Sequence, residues 1–213
     1  MTAASPGTPP AREGERDAAT RARIADAAER LFRSLGYQKT AVADIARECG
    51  MSPANVYRFF PSKSAINEAI AARLLGGIEA ELRAIAAGAD PAEARLRAAV
   101  RALHLRGSAL FFQEKRLHDM VEAAMAEHWG VIERFVEAVV GVYAALLAEG
   151  MARGEFRPRD PVATARSLKQ CTLAWMHPAL IADCLSHGEE PQQLCADLEA
   201  VLDLLMDALR APK

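Results

Sequence analysis

Asn55 and Arg58 lie three residues apart in the segment CGMSPANVYRFFPSK, residues 49–63. An Asn amide can pair with adenine, an Arg guanidinium can pair bidentately with guanine, and a methyl group such as that of Ala54 can touch a thymine methyl. Tyr57, Thr40 and Lys63 suit phosphate oxygens, as does the partly positive helix terminus at Ser62-Lys63. A second set, Glu114, His118 and Glu122, recurs at intervals of four with His128 nearby, a spacing that could ligate a metal. Lys115, Arg116 and Asp119 surround it, so we read a solvated face of mixed charge and expect no metal and no cofactor. His104, His118 and His177 could serve an enzyme. No nucleophile-base signature or phosphate loop accompanies them, and a non-enzyme is expected.

The base-reading set requires a short helix held at a fixed angle, and the flanking residues are suited to build one. From Thr20, the residues Ile24, Ala27, Ala28, Leu31, Phe32 and Leu35 recur at intervals of three and four and predict an amphipathic helix ended by Gly36. Thr40 is placed to cap a second helix with Val42, Ile45 and Ala46 inward, closing at Cys49-Gly50. Ser52 can cap a third, and Pro53 suits its first position, where no amide donor is needed. Pro61 keeps that helix from passing Phe60. Val56, Phe59 and Phe60 then face inward, while Ala54, Asn55 and Arg58 face outward with Tyr57 at the margin. Ser62 can cap a fourth helix that continues to about residue 87.

Composition sets the class. The chain has 213 residues, of which 51% are hydrophobic and 25% charged, enough to bury a sizeable core. The opening MTAASPGTPPAREGER lacks the apolar run of a signal peptide and reads as a disordered tail over residues 1–17. No stretch reaches the roughly 20 apolar residues of a membrane span, so a cytoplasmic protein without a membrane partner is expected. Residues 1–65 carry a net charge of +3 and the rest −5, which places the basic side with the short helices. Cys49, Cys171, Cys184 and Cys195 form no CxxC pair and read as buried reduced thiols, with an oxidant sensor as the alternative.

Residues 20–70, with TAVADIARECGMS and PANVYRFFPSKSAINEAI, resemble the N-terminal DNA-binding domain of the TetR/AcrR family of bacterial transcriptional regulators. The resemblance implies that Thr40 and Ala41 start the helix that crosses the DNA backbone. It further implies that Pro53, Ala54, Asn55 and Arg58 face the groove and that Tyr57 and Lys63 hold phosphates, with the capping Ser52 counted among the DNA-binding residues. Ala41 departs from the Thr or Ser often found there, which removes a hydroxyl.

The expected fold is all-α. An N-terminal three-helix helix-turn-helix DNA-binding domain over 18–63 precedes a helical ligand-binding and dimerisation domain over 64–213, with about nine helices in all. Beyond the fourth helix, the pattern predicts helices near 91–106, 108–126, 128–152, 161–186 and 191–210, with a break at Gly107. Apolar residues with a few polar groups near His104, Phe111, Phe112, His118, Met120, Met125, Trp129 and Trp175 are what a ligand pocket needs, and equally what a helical core needs. The resemblance implies a small-molecule effector that lowers DNA affinity, and a homodimer joined through its last two helices. Leu168, Cys171, Thr172, Trp175, Leu198, Val201, Leu202 and Leu205 are placed to supply that interface. A palindromic double-stranded operator would be read by two recognition helices about 34 Å apart.

Overall fold

The computed structural model describes residues 10–112 and 130–211. Among the described residues every regular element is a helix, apart from one isolated antiparallel bridge between Phe156 and Arg210. The chain divides into two compact units, residues 1–72 and 73–213, with the division inside the fourth helix.

In the first unit, α1 spans Pro10–Leu35, α2 Val42–Glu48 and α3 Pro53–Phe59, and α4 begins at Lys63. α1 starts ten residues before the periodic stretch that predicts it, so residues 10–17 are helical rather than part of a disordered tail. Pro10 suits a first helical position, and the following AREGERDAA is rich in strong helix formers. Ile24, Ala27, Ala28 and Phe32 of α1 are buried with Val42, Ile45, Val56, Phe59, Phe60, Ile66 and Ile70. Leu35, expected inward, is exposed, and Tyr37 is buried instead, edge-on to Phe32 with ring centroids 5.2 Å apart.

Turn chemistry separates these helices. Gly36 and Gly50 take φ of +95° and +64°, a region glycine enters at little cost. The α2 cap differs from the expectation: Ala41, not Thr40, is the N-cap residue, and its amide donates to the Asp44 carboxylate at 3.0 Å. Arg47 donates to the other Asp44 oxygen at 2.6 Å. The Ala41 amide first, and then Arg47, hold the Asp44 carboxyl below the usual range. At α3, Ser52 Oγ accepts from the Asn55 amide at 3.2 Å, and at α4 Ser62 Oγ accepts from the Ala65 amide at 3.0 Å.

In the second unit, α4 continues to Ala86, followed by α5 Ala92–Phe112, α6 Gly130–Ala152, α7 Pro161–Cys171, α8 Pro178–Ser186 and α9 Pro191–Leu209. Leu82, Leu96, Tyr143, Leu146, Leu147, Phe156, Leu202 and Met206 are among its buried side chains. α5 runs through Gly107 without the expected break. A lone helical glycine costs about 1 kcal/mol against alanine, which the rest of a 21-residue helix absorbs. The single helix expected over 161–186 is divided. Thr172 turns its hydroxyl back to the Leu168 carbonyl at 3.0 Å, a 3₁₀ turn occupies Leu173–Trp175, and Pro178 holds His177 in extended geometry.

Two close approaches fix this unit. Arg95, 5% exposed, donates to the Ala86 and Asp90 carbonyls and pairs with Glu149, so one guanidinium satisfies the end of α4 and ties α5 to α6. Gly150 faces the Phe156 ring so closely that a Cβ there would stand 2.3 Å from it. The GEF turn after α6, with Gly154 at φ +73°, is what brings Phe156 back onto the helix.

Candidate nucleic-acid interface and effector region

α3 is a seven-residue helix with two unlike faces. Val56 and Phe59 are buried beneath it, while Ser52, Pro53, Ala54, Asn55, Tyr57 and Arg58 are exposed along the other side. The Arg21 guanidinium anchors its C-terminal end, donating to the Phe59 carbonyl and lying 4.3 Å from the Phe60 ring centroid. Asn55 thus offers its amide outward from a capped, packed helix. Arg58 lies 4.8 Å from the Phe59 centroid and 3.7 Å from an Asp17 oxygen on α1.

The residues expected to hold phosphates divide into two groups. Tyr57 is exposed, as is Ala41, which lacks the hydroxyl for such a contact. Thr40 is 2% exposed and its hydroxyl donates to the Gly36 carbonyl at 2.9 Å, so its side chain completes the end of α1 instead of reaching the surface. The Lys63 ammonium donates to the Tyr37 and Thr40 carbonyls at 2.9 and 3.2 Å and sits 4.4 Å from the Tyr37 ring centroid. Both side chains join the loop before α2 to its surroundings. Residue type and spacing carry no trace of that inward turn.

Asp17 was invisible to motif reading. Only the extension of α1 to Pro10 brings it opposite Arg58, and the run of helix formers before Thr20 was the available signal.

In the second unit, His104 and Trp175 come together, with His104 Nδ1 2.9 Å from the Trp175 carbonyl oxygen. Phe111 and Phe112 close α5. His118, Met120, Met125 and Trp129 lie outside the described residues, as do Glu114, Glu122 and His128 of the metal-like spacing. No group of three or more metal-ligating side chains occurs among the described residues. Two buried polar atoms, the Tyr143 hydroxyl and Nδ1 of His177, have no hydrogen-bond partner among the described residues; Tyr143 was not a candidate from sequence. Burial pushes the Tyr143 phenol well above its ordinary pKa.

The side chains expected at a dimer interface also divide. Leu168, Thr172, Leu198 and Leu202 are buried within this chain, which corrects their assignment to a surface for a partner. Cys171 is exposed, and Trp175, Val201 and Leu205 are partly so. Leu204 is 71% exposed, and Val162 is also exposed. On α9 the buried stripe runs Leu194, Leu198, Leu202, Met206 and Leu209; Leu204 lies off it, and a leucine off the stripe was the signal. Cys171 and Leu205 share a groove of about 450 Å³ with Ala163, Ser167 and Ala208.

Two stretches of the sequence match family descriptions. "Bacterial regulatory proteins, tetR family" covers residues 24–70, and "Tetracyclin repressor-like, C-terminal domain" covers residues 92–195. The chain belongs to the TetR family. TetR-family proteins are transcriptional regulators, so the enzyme reading built on His104, His118 and His177 is set aside. No curated protein matches the chain in sequence.

Solved structures share the fold. A transcriptional regulator from Cytophaga hutchinsonii superposes with a TM-score of 0.68 at 22% identity, covering 88% of this chain and 97% of that one. SmeT, the repressor of the Stenotrophomonas maltophilia multidrug efflux pump SmeDEF, gives 0.64 at 24% identity, over 89% and 90%. The TetR-family repressor FadR of Thermus thermophilus, in complex with lauroyl-CoA, gives 0.61 at 23%, over 91% and 96%. Among the described residues, no helix of this TetR-family chain is long and apolar enough to cross a membrane.

Proposed function

We propose that this TetR-family regulator is a cytoplasmic repressor that binds a palindromic double-stranded DNA operator as a homodimer and is released by a small apolar or amphipathic effector. The observation that carries the reading is the outward face of α3, where Asn55 and Arg58 stand exposed on a helix whose opposite face is buried. Arg58 exchanges Asp17 for a guanine edge, Asn55 pairs with adenine, and Pro53 and Ala54 make apolar contact. Tyr57 donates to phosphate. Thr40 and Lys63 shape the loop before α2, and Ser52 and Ala41 mark the helix starts that approach the backbone.

The groove along α7 and α9, with Cys171, Leu205 and the exposed Val162 and Leu204, supports dimerisation through this face. A symmetric pair places two copies of α3 on successive major grooves. For the effector, the Tyr143 hydroxyl and His177 Nδ1, without hydrogen-bond partners among the described residues, supply polar contacts in a unit with a large apolar core. FadR of Thermus thermophilus, solved with lauroyl-CoA, supports an amphipathic class. Binding shifts the dimer toward a spacing of recognition helices that no longer fits the operator.

Selection from random DNA followed by fluorescence anisotropy tests this reading. The selected duplex should bind at least about a thousandfold more tightly than a scrambled one at fixed salt. Equal affinity for both, after selection has converged on no site, would end it.

A further inference from the structure

The thiol of Cys195 on α9 stands 3.4 Å from Nε2 of His104 on α5. His104 is 2% exposed, and its Nδ1 lies 2.9 Å from the Trp175 carbonyl oxygen. A carbonyl only accepts, so Nδ1 carries the hydrogen and Nε2 is left as the acceptor facing the thiol. Ser108 Oγ, 3.4 Å from the same Nδ1, can accept from that N–H and does not alter the tautomer. Helix α5, the 3₁₀ turn and α9 together fix an imidazole with its lone pair toward sulfur. A base within reach, itself oriented by a third group, is how protein nucleophiles are activated.

The pair borders a cavity of about 360 Å³. Leu105, Ala196 and Leu198 give it apolar walls, and Arg101 and Glu199 complete it, joined by a hydrogen bond of 2.6 Å. The site therefore combines a soft nucleophile, a base and a cationic donor beside apolar surface. An electrophile that suits all of these has a carbon able to accept sulfur and an oxygen on which negative charge collects. Small α,β-unsaturated carbonyl compounds have both.

We propose that Cys195 is a reaction site for small α,β-unsaturated carbonyl compounds and gives this regulator a covalent effector input, with His104 moving the proton. Nε2 takes the thiol proton as sulfur attacks the β-carbon. The carbon–sulfur bond forms, the carbon–carbon π bond breaks, and its electron pair reaches the carbonyl oxygen as an enolate, where Arg101 can donate. The imidazolium then returns the proton to the α-carbon. Nothing leaves, and no oxidant is consumed. The adduct adds bulk between α5 and α9; that this lowers operator affinity rests on the repressor reading above.

N-ethylmaleimide, an activated alkene flanked by carbonyls, is the probe. The full chain is treated with less than one equivalent at neutral pH, and adducts are located over time by peptide mass spectrometry. Cys195 should react at least about tenfold faster than N-acetylcysteine added as a reference thiol, although Cys195 is only partly exposed, because a placed base outweighs access. His104→Gln should remove that advantage and leave the Cys184 rate unchanged. If His104→Gln unfolds, shown by loss of helical circular dichroism, the wild-type ratio decides alone. A Cys195 rate no higher than that of the reference thiol overturns the reaction site. In a second readout, fully modified wild type should bind the selected operator at least about tenfold more weakly than Cys195→Ser treated in the same way. Full adduct with unchanged affinity overturns the effector role. Failure of the unmodified chain to prefer any selected duplex counts against the repressor reading alone, since the labelling ratio does not involve DNA.

Discussion

The two units of this chain use helices in opposite ways. In the first, three helices of which two have only seven residues are stopped and started by Gly36, Gly50, Ser52, Pro53 and Pro61, and the side chains with chemistry point outward from α3. In the second, helices of up to 23 residues bury a continuous core, and the polar atoms with chemistry, the Tyr143 hydroxyl, His177 Nδ1 and the His104–Cys195 pair, belong to residues far apart in sequence. Angles between short capped helices depend on local turn chemistry, whereas an interior site depends on which distant residues meet. A site of the first kind is written in consecutive residues. One of the second kind is not.

The largest effect that sharpens this contrast is expected at Gly150. Its Cβ position is occupied by the Phe156 ring, so Gly150→Ala must push the ring or the helix aside, at a cost of about 1–3 kcal/mol for overpacking. Chemical denaturation should show the lower midpoint. Hydrogen exchange should place the loss in α5, α6 and α9, with α1 to α3 keeping their protection. Protection lost equally in both units would break the distinction between a core-held and a cap-held region.

A smaller effect is expected at Ser52. Its hydroxyl oxygen accepts from the Asn55 amide at 3.2 Å, and removing such a cap costs about 0.5–2 kcal/mol. Ser52→Ala should fray α3 and weaken binding to operator and random duplexes alike, since the whole recognition face loosens. A change in base preference without loss of overall affinity would show that Ser52 reads sequence directly.

The smallest effect concerns acid. The Asp44 carboxyl is held below the ordinary carboxylate pKa, first by the Ala41 amide and then by Arg47. A carboxyl depressed in the folded state stabilises above its unfolded pKa of about 3.9, and the contribution is lost as pH falls through the folded value. Wild type should therefore exceed Asp44→Asn in thermal stability at neutral pH, with the gap closing at the acid end of the carboxylate range. A gap constant across that range would mean that Asp44 acts without its charge.

How far the fold was legible in the sequence follows the same contrast. Gly50, Ser52, Pro53 and Pro61 act on their immediate neighbours, and the bounds of α2 and α3 could be read within a residue or two. Thr40 misled because its hydroxyl suits a cap, a phosphate or the Gly36 carbonyl, and only packing chooses the last. In the second unit, Gly107 suggested a break that the length of α5 overrides, while Pro178 was passed over inside a continuous apolar pattern. Leu168, Leu198 and Leu202 have the spacing of an interface and of a core alike, and burial assigns them to the core. The meeting of His104 with Cys195 spans 91 residues of sequence, beyond any local pattern.

The central claim is that α3 presents Arg58 to a base edge. Fluorescence anisotropy of wild type and Arg58→Ala, each with the selected operator and with a duplex altered at one base pair, tests it most directly. The account predicts that Arg58→Ala loses about 1–3 kcal/mol on the operator and discriminates less at that single pair. Equal losses on operator and scrambled DNA, with discrimination intact, would contradict it and reduce Arg58 to a phosphate contact.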